Sequence, residues 1–240
     1  MSQERLNRYL ARRGISSRRG ADSLIAAGRV AVNGRSAAIG TVIEGDTDAV
    51  EVDGRSVPQA TVVATVMLNK PLGVVTTVRN PGGRPTVMDF VERQPGLVPV
   101  GRLDADSRGL LLLSTDGDLV HRLTHPSVGV VKRYRVRSDR DLDENDLSAL
   151  LAGAELHDGP ARALRASRAG SSLRDIDIDL AEGRKREVRR LCAALAITVL
   201  DLQRVAFGPL RLGSLGDGAT RALTAAESHA LYAAAQLPNP

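Results

Sequence analysis

The feature that most constrains this chain of 240 residues is the run Leu110–Leu113, together with the polar loop that leads into it, Gly101-Arg102-Leu103-Asp104-Ala105-Asp106-Ser107-Arg108-Gly109. Four consecutive leucines bounded by polar residues read as a strand buried on both faces. A strand of that kind holds its leading loop rigidly, which is the setting a reactive side chain needs. The loop carries two carboxylates, Asp104 and Asp106.

Three readings of those carboxylates compete. A calcium loop of the EF-hand kind needs a ligand at its fifth position and a bidentate Glu at its twelfth. Arg108 and Thr115 stand there instead, so that reading fails. Asp104-Ala105-Asp106-Ser107 also resembles the nucleophile motif of haloacid-dehalogenase phosphatases. That motif follows a buried apolar strand, whereas GLVPVGRLD is a poor one and no acidic magnesium-binding pair lies downstream. Such a phosphatase would release phosphate with magnesium and have no need of RNA. The third reading is structural, with Asp104 capping a turn.

Composition narrows the setting. No eighteen apolar residues run together, so no transmembrane helix is expected. The N-terminal MSQERLNRYLARRG lacks the apolar stretch of a signal peptide. Cys192 is the only cysteine, which rules out an internal disulfide and a zinc cluster and fits a reducing cytoplasm, with the thiol as buried helix filler. His121 and His125 stand at helical i, i+4 spacing without an evident third ligand, so no metal is expected. The formal charge of +5 suggests a polyanionic partner. Only three of the 33 basic residues are lysines, a bias that GC-rich codon usage explains. Those three, Lys70, Lys132 and Lys185, each fall in a motif-like segment. The aromatics are Tyr9, Phe90, Tyr134, Phe207 and Tyr232, so any base stacking rests on one or two of them.

Two modules are expected, residues 1–60 and residues 61–240, joined by a linker around Ser56–Thr61 that Pro58 punctuates. In the first, Leu6, Tyr9 and Leu10 have helical spacing, Ser16 or Ser17 caps a second helix, and Asn33-Gly34 turns a hairpin. Arg5, Arg8, Arg12, Arg13, Arg18 and Arg19 crowd the two helices, an excess that points to RNA phosphate rather than a merely solvated face. In the second module, strands are expected at VVATVMLNKP, GVVTTV, GLLLLST, KRYRVRS, ALRASRA and RDIDIDLAEG. Helices are expected at VMDFVERQ, DGDLVHRLTH, DENDLSALLAG, REVRRLCAALAI and TAAESHALYAAAQ. The lack of a regular βαβ rhythm predicts an α+β fold on a mixed, mostly antiparallel sheet flanked by helices.

Residues 3–50, with RLNRYLARRGISSRRGADSLIAAGRVAVNG at their heart, resemble the S4 RNA-binding domain. GRLDADSRGLLLLSTDGDLVHRLTHP closely resembles the catalytic segment of the bacterial ribosomal RNA pseudouridine synthases that carry an S4 domain. LNKPLGVVTT, GRPTVMDFV, KRYRV and GRKREVRRLCAALAITVLDLQRVAFGPLRLG continue the match in order. The resemblance implies an enzyme that isomerises a uridine in ribosomal RNA, by base flipping and without a cofactor, acting as a monomer on ribosomal RNA or a pre-ribosomal particle. It implies Asp104 as nucleophile and Tyr134 stacking on the target base, with a share in proton handling at C5. It also implies that Arg189 pairs with Asp104 and that Arg102 fills the gap left by the flipped base. Arg184 and Lys185 would meet phosphate along the RNA path, Lys70 would either face the RNA or serve a structural role, and Asp106 would support the loop. GPLRLGSLGDGATRALT looks more like the large-subunit enzymes, favouring 23S over 16S. Glu187 stands where the family usually has Gln, a change expected to matter little because positions 187 and 189 face different ways on a helix. The alternative is a catalytically silent ribosomal RNA binder of the same fold.

Overall fold

The computed structural model describes residues 3–45, 47–58, 63–79 and 82–238. Two compact units emerge. One comprises residues 1–64, 93–98 and 114–117, the other residues 65–92, 99–113 and 118–240. The boundary expected between residues 60 and 61 lies outside the described residues.

In the first unit β1 (Gln3–Arg5) runs into α1 (Leu6–Arg12), followed by α2 (Arg18–Ala26). Leu6, Tyr9 and Leu10 are buried against Ala21, Ile25 and Val30, as their spacing requires. Ser17 caps α2 by accepting the Gly20 N–H at 3.1 Å. β2 (Val30–Val32) and β3 (Arg35–Ser36) form a hairpin, and Asn33 and Gly34 between them both take positive φ, 50° and 74°. That is the turn geometry for which Asn-Gly is suited. β4 (Val42–Glu44) pairs with β1, β5 (Val50–Val52) with β2, and β6 (Arg55–Ser56) with β5.

The second unit continues with β7 (Thr65–Lys70), β8 (Val98–Pro99), β9 (Arg108–Ser114), α3 (Gly117–Thr124), β10 (Lys132–Ser138), α4 (Glu144–Ala152), β11 (Ala154–Leu156) and β12 (Gly159–Ala161). It ends with β13 (Arg165–Arg168), β14 (Asp175–Leu180), α5 (Glu187–Ala194), β15 (Val199–Phe207), β16 (Leu210–Arg211), β17 (Thr220–Ala222) and α6 (Ala225–Ala234). The main sheet runs β13-β14-β10-β15-β9-β7-β17, with β16 paired to β15. β9 and β15 are parallel, whereas β10 pairs antiparallel with both neighbours, so the sheet is mixed as expected. Leu110 through Leu113 are all 0% exposed, which confirms a strand covered on both faces. Leu110 and Leu112 pack with Met67, Leu119, Leu123, Phe207 and Leu231.

β10 alternates sharply. Tyr134 and Val136 are buried, while Arg133, Arg135 and Arg137 face Asp179, Asp177 and Asp175 of β14 in register. Each of these guanidiniums donates to both oxygens of its carboxylate. The first two thus form bidentate cross-strand pairs at 2.6–3.2 Å, and the third a pair at 2.9 Å. The α4 N-terminus carries the reciprocal box that its sequence suggests, Asp143 with Asp146.

Three expectations need correction. GVVTTV is not a strand: Val75 makes an isolated bridge to Thr86, and the segment's polar groups turn instead to the loop before β9. VMDFVERQ forms one 3-10 turn, Val87–Asp89, because the Asp89 carboxylate accepts the Thr86 N–H at 2.8 Å and closes the turn on itself. VLDLQRVAF, not foreseen as a strand, is β15 at the centre of the sheet. No helix among the described residues is long and apolar enough to cross a membrane.

β9 meets β15 where Gly109 pairs with Arg204. Gly109 has φ +106°, and a Cβ there would lie 2.4 Å from the Arg204 carbonyl oxygen and 2.7 Å from its nitrogen. Backbone cannot yield as a flexible side chain can. Gly109→Ala is expected to destabilise the protein by about 2–4 kcal/mol. The expected outcome is a urea midpoint shifted down with an unchanged slope.

Candidate active site

The loop from Gly101 to Ser107 has no regular structure, yet its carbonyls from Leu103 to Ser107 all accept hydrogen bonds. Thr76 Oγ1 donates to the Leu103 carbonyl at 2.7 Å and accepts the Leu103 N–H at 3.3 Å. The Gly73 N–H reaches the Ala105 carbonyl at 2.7 Å, and the Ser107 N–H turns back to the Asp104 carbonyl at 3.1 Å. Beneath the loop, Lys70 Nζ donates to the carbonyls of Ser107 and Pro71, each at 2.8 Å. Asp104 stands at the exposed crest of this scaffold, half-buried. Among the described residues its carboxylate has no hydrogen-bond or ion-pair partner.

Asp104 lines a cleft of about 340 Å³ whose wall also includes Arg102, Lys132, Tyr134, Arg184, Lys185, Arg186, Arg204 and Phe207. The sheet explains this gathering. Lys132 and Tyr134 lie two apart on β10 and share a face. They pair with Phe207 and Arg204 of β15 across the ladder. Phe207 and Arg204 are three apart and would ordinarily face opposite ways. The register shift between Arg133 and Tyr134 leaves Val205 as a bulged residue, and so both side chains reach the cleft.

The sequence-based residues separate on inspection. Asp104, Tyr134, Arg102 and Lys185 come together in the cleft. Arg102 and Lys185 are exposed and, among the described residues, without side-chain partners. Arg189 does not pair with Asp104. Its guanidinium donates to the Asp106 carbonyl at 2.6 Å and the Val199 carbonyl at 3.1 Å, and lies 3.4 Å from the Asp106 carboxylate. The turn over Ala105 and Asp106 offers that second acid and its carbonyl to α5. Burial pushes the pKa of Asp106 up, but the hydrogen bond from Arg186 at 2.7 Å and the charges of Arg189 and Arg186 hold it below the ordinary carboxylate value.

Lys70, for which an RNA-facing and a structural role were both open, is 0% exposed and sits under the Asp104 loop, where no phosphate can reach it, so its place is structural. Arg184 lines the cleft, but its donors are engaged by Glu187, Asp158 and the carbonyls of Gly159 and Pro160. Glu187 is 5% exposed and accepts the Arg184 N–H at 3.1 Å, so the carboxylate in place of the usual amide anchors the start of α5. In the first unit Arg5, Arg18 and Arg19 are exposed, whereas Arg12 is bound to Glu4 at 2.5 Å and Arg13 is buried over the Tyr9 ring. The latter two hold their helix rather than face a ligand. The His121 and His125 rings lie 5.3 Å apart, and among the described residues no three His, Cys, Asp or Glu are grouped to hold a metal.

Sequence reasoning assigned no role to Arg204, Lys132 or Phe207. Lys132 Nζ donates to the Ala181 carbonyl at 2.9 Å and sits 5.9 Å from the Phe207 ring centroid. Burial, then the charge of Arg204, pushes its pKa down to about 8 against the opposing charges of Glu187 and Glu182. A lysine retained in an arginine-rich chain was the available signal. Arg204 left one too, a charge at a buried position between Leu202 and Ala206. Burial likewise lowers Lys70 to about 8, opposed by the carboxylates of Asp104, Asp106 and Asp217. Cys192 is buried, and its thiol is pushed up to about 12 by that burial.

Residues 64–194 match the RNA pseudouridylate synthase family, and residues 4–45 match the S4 domain. A protein of Aquifex aeolicus described as an uncharacterized RNA pseudouridine synthase is 37% identical, covering 99% of this chain and 97% of that protein. The ribosomal large subunit pseudouridine synthase B of Vibrio cholerae is 42% identical over 87% of this chain and 68% of its own. A crystal structure of a pseudouridylate synthase, 29% identical, superposes with a TM-score of 0.67 over 95% of this chain and 99% of that one.

The depressed pKa of Lys70 has a pH signature. Below pH 8 the amine is protonated both folded and unfolded. Between pH 8 and 10.5 the folded chain has released a proton that the unfolded chain keeps, so this group adds stability as pH rises through that window. In urea unfolding, the advantage of the wild type over Lys70→Met is expected to grow from pH 7.5 to pH 10. An advantage that stays constant with pH would contradict the burial of a charged ammonium.

Proposed function

The chain belongs to the RNA pseudouridylate synthase family, and we propose that it converts one uridine of 23S ribosomal RNA to pseudouridine with Asp104 as nucleophile. The observation that carries the assignment is the Asp104 carboxylate, mounted on a loop whose carbonyls from Leu103 to Ser107 are all hydrogen-bonded, open to the cleft and unclaimed by any described side chain. Asp106, two residues on, is claimed twice over by Arg186 and Arg189. A carboxylate serves as a covalent nucleophile when the protein holds it in place and leaves its oxygens free.

The reaction breaks the N1–C1′ bond, turns the base and joins C5 to C1′, with the C5 proton moving to N1. No atom enters or leaves. Attack at C1′ and attack at C6 start from the same carboxylate position. The target base must first leave its helix, at a cost of a few kcal/mol. Tyr134 offers it a stacking face, worth about 1–3 kcal/mol per base. Arg102, exposed at the cleft and without a side-chain partner among the described residues, would occupy the vacated stack. Arg189 supports the nucleophile at one remove, by fixing the turn at Asp106.

The S4 domain supplies sequence-independent affinity. Arg5, Arg18, Arg19 and Arg35 are exposed there with no side-chain partner among the described residues, and in the catalytic unit Lys185 offers a phosphate a further exposed cation at the cleft. The substrate is ribosomal RNA, free or within a pre-ribosomal particle, in the cytoplasm; the relationship to large-subunit synthases B favours 23S.

Pseudouridine mapping of ribosomal RNA from cells with and without this protein is expected to lose one signal in 23S; loss at a 16S position would overturn the subunit assignment. Asp104→Asn is expected to retain RNA affinity while product formation falls by at least about three orders of magnitude. Replacing Arg18 and Arg19 together by Ala is expected to weaken RNA binding and to reduce the slope of log affinity against log salt by about two, measured by filter binding.

A further inference from the structure

Arg204 is 3% exposed in the middle of β15, yet it belongs to the cleft wall. Its Nε donates to the Leu110 carbonyl at 2.7 Å, and its Cζ lies 5.2 Å from the Phe207 ring centroid. Its Nη2 is buried and, among the described residues, has no hydrogen-bond partner. Leaving a charged donor unmade in the interior is costly, and an apolar side chain of similar volume would suit a sheet core at least as well. The chain nevertheless bulges at Val205, which brings this guanidinium to the same face as Tyr134 and Phe207.

A guanidinium has donors and no acceptor. A phosphate drawn to that depth would lose its hydration, and exposed cations already wait for it at Arg102 and Lys185. A flipped base is flat and apolar on its faces, and it presents carbonyl oxygens at its edge. With Asp104 addressing the N1–C6 side of the ring, the edge that reaches deepest is the opposite one, which in uridine carries O4. We infer that Arg204 is a positioning residue whose Nη2 donates to the distal carbonyl oxygen of the flipped uracil. The inference rests on the reading of Asp104 and Tyr134 as the reacting site.

The symmetry of uracil gives this contact a particular use. Turning the ring about its N3–C6 axis exchanges N1 with C5 and C4 with C2. The oxygen opposite the sugar is O4 before the turn and O2 after it, so one fixed donor holds the ring in both orientations. Cytosine carries an amino group at C4, and two donors would face each other, so the same contact rejects cytidine.

The test uses the full-length protein and 23S transcripts made with uridine or with 4-thiouridine, whose sulfur is a poor acceptor. Wild type is expected to convert the thio substrate about tenfold more slowly in single-turnover assays. Arg204→Met is expected to convert the normal substrate between about tenfold and a hundredfold more slowly, to bind RNA within twofold of wild type, and to show no further slowing on the thio substrate. Arg204→Leu, which also lacks a donor, serves in the same comparison should the Met variant unfold. A full thio effect in the variants, or variants as fast as wild type, overturns the inference while wild-type activity leaves the site assignment standing. Failure of wild type to form pseudouridine at all would instead sink the underlying reading of the site.

Discussion

Where β9 runs parallel to β15, the Gly109 backbone lies against that of Arg204 with room for a hydrogen atom and nothing larger. That close approach sets the start of β9 and therefore the end of the loop bearing Asp104. It also fixes β15 at the height where Arg204 donates to Leu110 and Phe207 lines the cleft. A rigid strand of four leucines then turns local geometry into a fixed position, because a side chain buried on both faces cannot tilt without opening a void.

The cleft gathers positive charge beneath a negative tip. Lys70, Lys132 and Arg204 are all drawn out of water, and each resolves its burial differently: Lys70 through two carbonyls, Lys132 through the strand-to-helix loop, Arg204 through one carbonyl and an aromatic face. The two carboxylates of the loop are treated unequally. Asp106 is spent on tying the loop to α5, and that leaves Asp104 free. Two acids two residues apart are thus one bound and one open because the turn between them points them at different neighbours, and the proposed function takes the open one as reactant.

Much of this was legible. The S4-like helices, the hairpin at Asn33-Gly34, the buried β9, the alternating β10 and the caps of α4 and α6 follow local rules that tertiary packing had no reason to override. β15 escaped because its alternation is interrupted by a buried arginine and a bulge, the two features that make it useful. The choice between an RNA-facing and a structural Lys70 stayed open because a lysine in a polar-looking segment gives no hint of being buried under a loop thirty-odd residues further on. Arg189 was assigned to the wrong acid of the pair, a choice that depends on the direction of a two-residue turn. The roles of Arg12 and Arg13 were hidden in the same way, since a helix-facing arginine and a solvent-facing one have the same letter.

The outer row of β10 has a consequence for how a polyanion perceives this molecule. Arg133, Arg135 and Arg137 make that face look basic on paper, yet each fork is closed on an aspartate of β14. Such a row is electrostatically mute at any distance beyond its own carboxylates, and displacing an aspartate would gain an incoming phosphate little. Among the described residues, the pull on a polyanion therefore falls to exposed guanidiniums without a carboxylate partner, Arg5, Arg18, Arg19, Arg35 and Arg102 among them, and to the Lys185 ammonium, and the surfaces that stay silent shape that pull as much as those that attract.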